Sequence, residues 1–231
     1  MPNDYFRFKR FTVWQDRCAM KVGTDATLLG AWAGLPPNGG ERLDVLDIGT
    51  GTGIIALMLA QRCADACVTG IDIDPDAAAQ AAANMAASPF SSRMKVVCQP
   101  MQQFGGGTYD AITCNPPYFQ GSLECPDSKR TLSRHNTSLT YDELASHVFR
   151  LLAGEGEFSM ILPADHLHHM EAAAAIAGLF EKRRCYVRTK ETKPPKRVML
   201  AYAKRPQPAA QCEELTLNDP KHATLMADFY I

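Results

Sequence analysis

Asp47-Ile48-Gly49-Thr50-Gly51-Thr52-Gly53 carries the strongest local signal in the chain. It closes a strand-length run, Leu43-Asp44-Val45-Leu46-Asp47-Ile48, and leads into a helix-length apolar run from Gly53 to Arg62. Glycines at alternate positions let the backbone turn tightly and approach a ligand with no Cβ in the way. A dinucleotide loop, G-x-G-x-x-G, would need its third glycine at position 54, which is isoleucine, and the loop has no lysine, which excludes a P-loop. Asp47 puts a carboxylate at the strand end, where it suits a cationic ammonium and not a pyrophosphate.

Outward from this loop, strands and helices alternate. Cys67–Asp72 reads as a second strand and Pro75–Ala87 as a helix opened by proline. Met94–Cys98 and Tyr109–Cys114 are short strands, and Thr140-Tyr141-Asp142-Glu143 is a capping box that opens a helix to about Leu152. A strand at Glu157–Leu162, a long helix over Ala164–Phe180, and an antiparallel pair at Lys182–Arg188 and Arg197–Ala203 complete the pattern. This predicts an α/β fold with a mostly parallel seven-stranded sheet, an antiparallel last strand and helices on both faces. Pro-Pro-Asn-Gly-Gly at 36–40 separates residues 1–38, an N-terminal cap, from the sheet within a single 1–231 domain. In such sheets ligands bind beyond the carboxyl ends of the strands.

Asp72 ends the second strand, 19 residues past Gly53, where a carboxylate commonly accepts bonds from both ribose hydroxyls of a nucleoside. Asp74-Pro75 reads instead as a helix N-cap followed by proline. The loop and its acid together resemble the S-adenosylmethionine site of class I methyltransferases, a Rossmann-like fold. The resemblance implies cofactor contacts at Asp47, Gly49, Thr50, Gly51, Gly53, Asp72 and Ile73. Many such enzymes carry an acid after the third strand near the adenine amine. Here Gln99-Pro100-Met101-Gln102 stands there, with Met101 or Gln102 as the candidates.

Asn115-Pro116-Pro117-Tyr118 follows the fourth strand. The lone pair of a planar exocyclic amine is delocalised, so its nucleophilicity has to be helped. The Asn115 side-chain carbonyl and the Pro116 backbone carbonyl can each accept a hydrogen bond from such an amine, held in place by proline rigidity. Tyr118 can stack on a flipped base, worth about 1–3 kcal/mol. With the loop, the tetrad resembles the amino-methyltransferases acting on adenine N6, cytosine N4, guanine N2 or the glutamine amide.

The segment Asp16-Arg17-Cys18-Ala19-Met20-Lys21-Val22-Gly23-Thr24-Asp25-Ala26-Thr27-Leu28-Leu29-Gly30-Ala31-Trp32 reads locally as a loop, an N-cap at Thr24 or Asp25, and a short amphipathic helix burying Leu28, Leu29 and Trp32. As a string it is similar to the N-terminal signature of the bacterial tRNA(Val) adenine-37 N6-methyltransferase family. The likeness continues through Leu-Ala-Gln-Arg at 59–62, Ser88-Pro89, the tetrad with Glu124-Cys125, and Arg197-Val198-Met199-Leu200-Ala201. It implies methylation of the adenosine 3′ of a valine tRNA anticodon. Lys21 and Asp25 then sit over the cofactor pocket, Arg7, Lys9 and Arg10 grip phosphates together with Lys193, Lys196 and Arg197, and Arg130 and Arg134 order on RNA. Glutamine-N5 protein methylation, methylation of rRNA or DNA, and a catalytically lapsed RNA-binding module are the alternatives.

The net charge of −1 across 231 residues disfavours a nucleic-acid partner only until it is resolved by position. Lys182–Arg205 holds ten basic residues and one acid, and Phe6–Lys21 five and one. Eight scattered cysteines with no C-x-x-C pair read as reduced thiols, with no zinc-ligand spacing. No apolar run reaches the roughly 20 residues of a membrane span, and no signal-peptide core follows Met1. The expectation is a cytoplasmic, metal-free, monomeric tRNA-modifying enzyme.

Overall fold

The computed structural model describes residues 3–18, 21–37, 40–116 and 139–231. A hairpin of β1 (Tyr5–Arg7) and β2 (Thr12–Trp14) precedes helix α1 (Thr24–Trp32). The α/β alternation then follows: β3 (Leu43–Ile48), α2 (Ile54–Arg62), β4 (Ala66–Asp72), α3 (Pro75–Ala86), β5 (Met94–Cys98) and β6 (Tyr109–Cys114). After residue 138 come α4 (Tyr141–Leu151), β7 (Leu152–Pro163), α5 (Leu167–Ala177), β8 (Phe180–Arg188), β9 (Arg197–Ala203), β10 (Gln211–Thr216) and α6 (Pro220–Met226).

The main sheet runs β10-β8-β9-β7-β6-β3-β4-β5, with β9 alone antiparallel to its neighbours. This is the expected Rossmann-like arrangement, extended by an eighth strand. Strand alternation sends Val45 and Leu46, both fully buried, to opposite faces. Val45 packs with α1, α2 and the hairpin residues Phe8, Phe11 and Val13. Leu46 shares its cluster with Ile112 and Phe158 of the neighbouring strands and with Leu144, Val148 and Met170 on the apolar faces of α4 and α5.

Local chemistry sets most helix ends where the sequence places them. Asp74 accepts a bond from the Asp76 N–H with Pro75 in the first turn, and Thr140 and Glu143 form the reciprocal capping box. Two expectations are corrected. The long helix stops at Ala177, because Gly178 takes a left-handed C-cap conformation at φ 81°, and Phe180 already belongs to β8. Helix α1 starts after Gly23 with no side-chain cap, and it is not amphipathic: every residue from Ala26 to Trp32 is buried. A Cβ on Gly30 would meet Met58 Sδ at 2.7 Å, so the close α1–α2 approach depends on that glycine. Among the described residues no helix is long and apolar enough to cross a membrane.

Candidate active site

Three strand ends build the site. Ile48 is in register with Ile71 on β4 and Cys114 on β6. Gly49, Asp72 and Asn115 therefore leave the sheet side by side, at strand spacings of about 4.8 Å. Gly49, Gly51 and Gly53 adopt φ of 66°, 55° and 82°, a left-handed path that side chains disfavour. A Cβ at Gly49 would meet nothing within 4 Å, so the space over the loop is open to a ligand. On the sheet side the loop is tight: Thr50 N–H donates to Ile71 O at 2.9 Å, and a Cβ at Gly70 would stand 2.8 Å from Thr50 Oγ1.

Asp47 lies beneath this loop and is fully buried. Its Oδ2 accepts from Thr50 Oγ1 at 2.7 Å and its Oδ1 from Thr113 Oγ1 at 2.9 Å. Burial pushes its carboxyl up to about 6, against the opposing pull of the two hydroxyls and the Ala56 N–H. The carboxylate thus faces the loop's underside, where the sequence reading places it as a direct partner for an ammonium. Asp72 is half-buried. Its Oδ2 accepts from Gly51 N–H at 2.8 Å and its Oδ1 from Asp74 N–H at 3.0 Å, and each oxygen retains a lone pair for a ligand hydroxyl. Next to it Ile73 is 52% exposed, a large apolar side chain left at the strand end. Met101 is buried in the core, so it can offer a ligand its backbone and not its side chain. Open space above Gly49, free acceptor capacity on Asp72 and an apolar surface at Ile73 together fit a nucleoside bearing a cationic tail.

Asn115 is half-buried and Pro116 buried at the end of β6. Pro117, Tyr118, Arg130 and Arg134 lie outside the described residues. Beside the strand end, Tyr141 Oη and His166 Nδ1 share a hydrogen bond at 3.0 Å. Burial, then the neighbouring Cys114 and Asp165, push the Tyr141 phenol up to about 12. The sequence reading passed over this pair because its members lie 25 positions apart.

The N-terminal segment is fastened over the loop. Asn84 Oδ1 accepts from Trp14 N–H at 2.9 Å, while its Nδ2 donates to Trp14 O at 2.8 Å and to Thr52 O at 2.9 Å. Gln80 Oε1 accepts from Arg17 N–H at 3.1 Å, and Cys18 Sγ would lie 3.9 Å from a Cβ on Gly51. Gln80 and Asn84, one turn apart in an alanine-rich helix, were the available signal. Lys21, exposed, follows this segment.

The basic stretch is less free than its sequence implies. Lys182 and Arg183 pair with buried Glu157, whose carboxyl burial would raise but whose two cations hold it below its ordinary value. Arg184 pairs with Glu171 and Glu181, Arg188 with Glu214, Arg197 with Asp25 at 2.8 Å, and Arg205 with Glu155. Lys190, Lys193 and Lys196 are exposed in the β8–β9 turn and form no ion pair among the described residues. Because β8 runs parallel to β7 and β6, that turn sits at the same end of the sheet as Asn115. Ala164 N–H donates to Lys196 O at 3.2 Å, joining the turn to the segment that carries His166.

A family model described as "Methyltransferase domain" matches residues 45–142. A relative from Bacteroides fragilis named tRNA1(Val) (adenine(37)-N6)-methyltransferase is 48% identical over 206 residues, 87% of this chain and 85% of its own length. One of the same name from Phocaeicola vulgatus is 45% identical over 238 aligned positions, covering 100% of this chain and 99% of its own. Among solved structures, one described as a predicted O-methyltransferase from Agrobacterium tumefaciens superposes with a TM-score of 0.66 at 16% identity, over 89% of this chain and 96% of its own.

Proposed function

The chain belongs to the tRNA1(Val) (adenine(37)-N6)-methyltransferase family, and from that premise we propose how its strand-end site works. It transfers a methyl group from S-adenosylmethionine to the exocyclic N6 amine of adenine 37 in tRNA(Val). The cofactor supplies a methyl group already activated on a cationic sulfonium, so the residues have only to bind, orient and exclude.

Gly49, Thr50, Gly51 and Gly53 cradle the cofactor through their backbone. Asp72 accepts its ribose hydroxyls, Ile73 lies against its adenine, and the Met101 backbone borders that ring. Asp47 acts through the loop: it fixes Thr50 and keeps a buried negative charge beneath the cationic end. Asn115 and Pro116 accept hydrogen bonds from the substrate N6 amine and hold its lone pair toward the cofactor, with Pro117 and Tyr118 completing the tetrad. Residues 1–38 form a cap that closes over the cofactor loop within one 1–231 domain. The Lys193 and Lys196 ammonium groups, with Lys21, Arg130 and Arg134, meet the RNA backbone. Arg197 contributes from its ion pair with Asp25, and the setting is the cytoplasm.

The observation that carries this reading is the register Ile48↔Cys114, which sets the cofactor loop and Asn115 on adjacent strand ends. A glutamine-amide acceptor would share the tetrad but leaves the lysine turn beside it unexplained. The test is incubation with methyl-labelled S-adenosylmethionine and either unmodified tRNA or a release-factor protein. Label is expected in tRNA as N6-methyladenosine, and label in the protein alone overturns the reading.

A further inference from the structure

The N-terminal hairpin carries a feature that neither the cofactor loop nor the tetrad uses. Tyr5–Trp14 contains five aromatic residues, three basic residues and no acid. The hairpin sorts them by face. Phe8, Phe11 and Val13 are buried, at 2%, 6% and 0% exposure, and pack it against the core. Tyr5 and Trp14 turn outward, 44% and 48% exposed. They are register partners across β1 and β2, with ring centroids 5.3 Å apart at 49°. The period of a strand puts the next pair, Arg7 and Thr12, on the same face. A tryptophan outside both core clusters, standing next to a tyrosine and an exposed arginine, is the composition of a surface made for a partner.

We infer that this face is a stacking platform for an unpaired base of the RNA substrate, with Arg7 placed for the adjoining phosphate. The inference rests on the tRNA reading above and adds a site to it. Aromatic faces accept any base, and interleaved cations follow the backbone, which is the recurring solution for single-stranded nucleic acid. The platform is also rigidly placed. Asn84 bonds both backbone groups of Trp14 and the Thr52 carbonyl, so the hairpin and the glycine loop share one anchor. Gln15 adds a second tie, donating to Asn3 O at 2.7 Å and accepting from Val22 N–H at 2.8 Å. A base held at Trp14 is therefore held at a set distance from the cofactor loop, with little ordering cost left to binding.

The chain has two tryptophans, and the other, Trp32, is 7% exposed with the Arg183 guanidinium 4.1 Å from its ring. Trp32 is shielded from a ligand but still emits, so a change on binding is assigned to Trp14 by its loss in Trp14→Phe. The experiment titrates the full chain with an unmodified valine tRNA transcript, with a blunt RNA duplex of equal length at the same salt, and with phosphatidylglycerol vesicles. The transcript is expected to quench emission, the duplex to quench far less, and Trp14→Phe to lose the signal while keeping most of the affinity. Trp14→Ala should weaken tRNA binding by about five- to 150-fold, the range for losing one stacked base, with S-adenosylmethionine affinity unchanged. Equal quenching by the duplex, quenching that survives Trp14→Phe, unaltered affinity in Trp14→Ala, or a response to vesicles alone each overturns the platform. If the wild-type chain methylates tRNA while Trp14 is dispensable, the platform fails and the proposed function stands. If it neither binds nor methylates tRNA, the proposed function itself fails.

Discussion

Thr113 donates its hydroxyl to the Asp47 carboxylate at 2.9 Å, and that bond ties the strand of the glycine loop to the strand that ends at Asn115. One buried carboxylate, also bonded to Thr50, thereby sets both halves of the site relative to each other. Thr113→Val removes the hydroxyl at nearly constant volume. It should lower stability by about 1.5–3 kcal/mol, the value of a hydrogen bond to a charged group, in urea unfolding. Thr113→Ser should recover most of that loss.

Asp47 also predicts a pH dependence. Its carboxyl is pushed from an ordinary 3.8 to about 6 in the folded chain. A cation above it favours the ionised form, so cofactor binding releases a proton below pH 6. S-adenosylmethionine affinity should be flat above about pH 7 and fall as pH drops through 6. 5′-Methylthioadenosine, which lacks both the ammonium and the sulfonium charge, should show a shallower slope in calorimetric titrations, and equal slopes would contradict the role given to Asp47. For folding the sign is opposite. The folded chain holds this proton more tightly than the unfolded one, so Asp47's contribution to stability is greatest below 3.8 and is lost as pH rises to 6.

Asn84→Ala should release the N-terminal hairpin. The side chain is buried and makes three bonds, two to Trp14 and one to Thr52. Their loss exposes residues 3–18 to limited proteolysis and speeds amide exchange at Trp14. The KM for tRNA should rise more than the KM for the cofactor. A protease pattern identical to wild type would mean that the apolar contacts and the remaining bonds, such as Gln80 to Arg17 and Lys9 to Phe229, hold the hairpin without Asn84.

Replacing Lys190, Lys193 and Lys196 together by alanine should weaken tRNA binding and make its log–log salt dependence shallower by about 2–3. Arg205→Ala, which removes one side of an exposed ion pair with Glu155, should leave that slope unchanged. The contrast separates cations free to meet phosphate from cations already neutralised.

The parts of the fold legible in the sequence were those encoded locally. The glycine loop, Asn115-Pro116 after β6, the capping box at Thr140 and the proline at 75 each act within a few residues, and each lies at the strand or helix end where the sequence reading puts it. What escaped depends on residues far apart in the chain. The basic stretch looked free because its acids sit elsewhere: Glu157 is 26 positions from Arg183, and Asp25 is 172 from Arg197. Strand β10 gave no alternation to read, since only Leu215 in Gln-Cys-Glu-Glu-Leu-Thr is buried. Helix α1 gave no amphipathic period because it is enclosed on all sides. In the site, Thr113, Asn84 and the Tyr141–His166 pair were silent for the same reason. Each acquires its role from a partner that only the packed sheet supplies.

The most direct test of the account is Asn115→Ala, assayed twice on the same preparation. Single-turnover methylation of an unmodified tRNA(Val) transcript reads the transfer step, and calorimetric titration reads cofactor binding. If the cofactor loop and Asn115 are separate halves on adjacent strand ends, N6-methyladenosine formation at position 37 should fall by several orders of magnitude with cofactor affinity near wild type. Methylation persisting at a wild-type rate, or cofactor affinity lost in parallel, would contradict it.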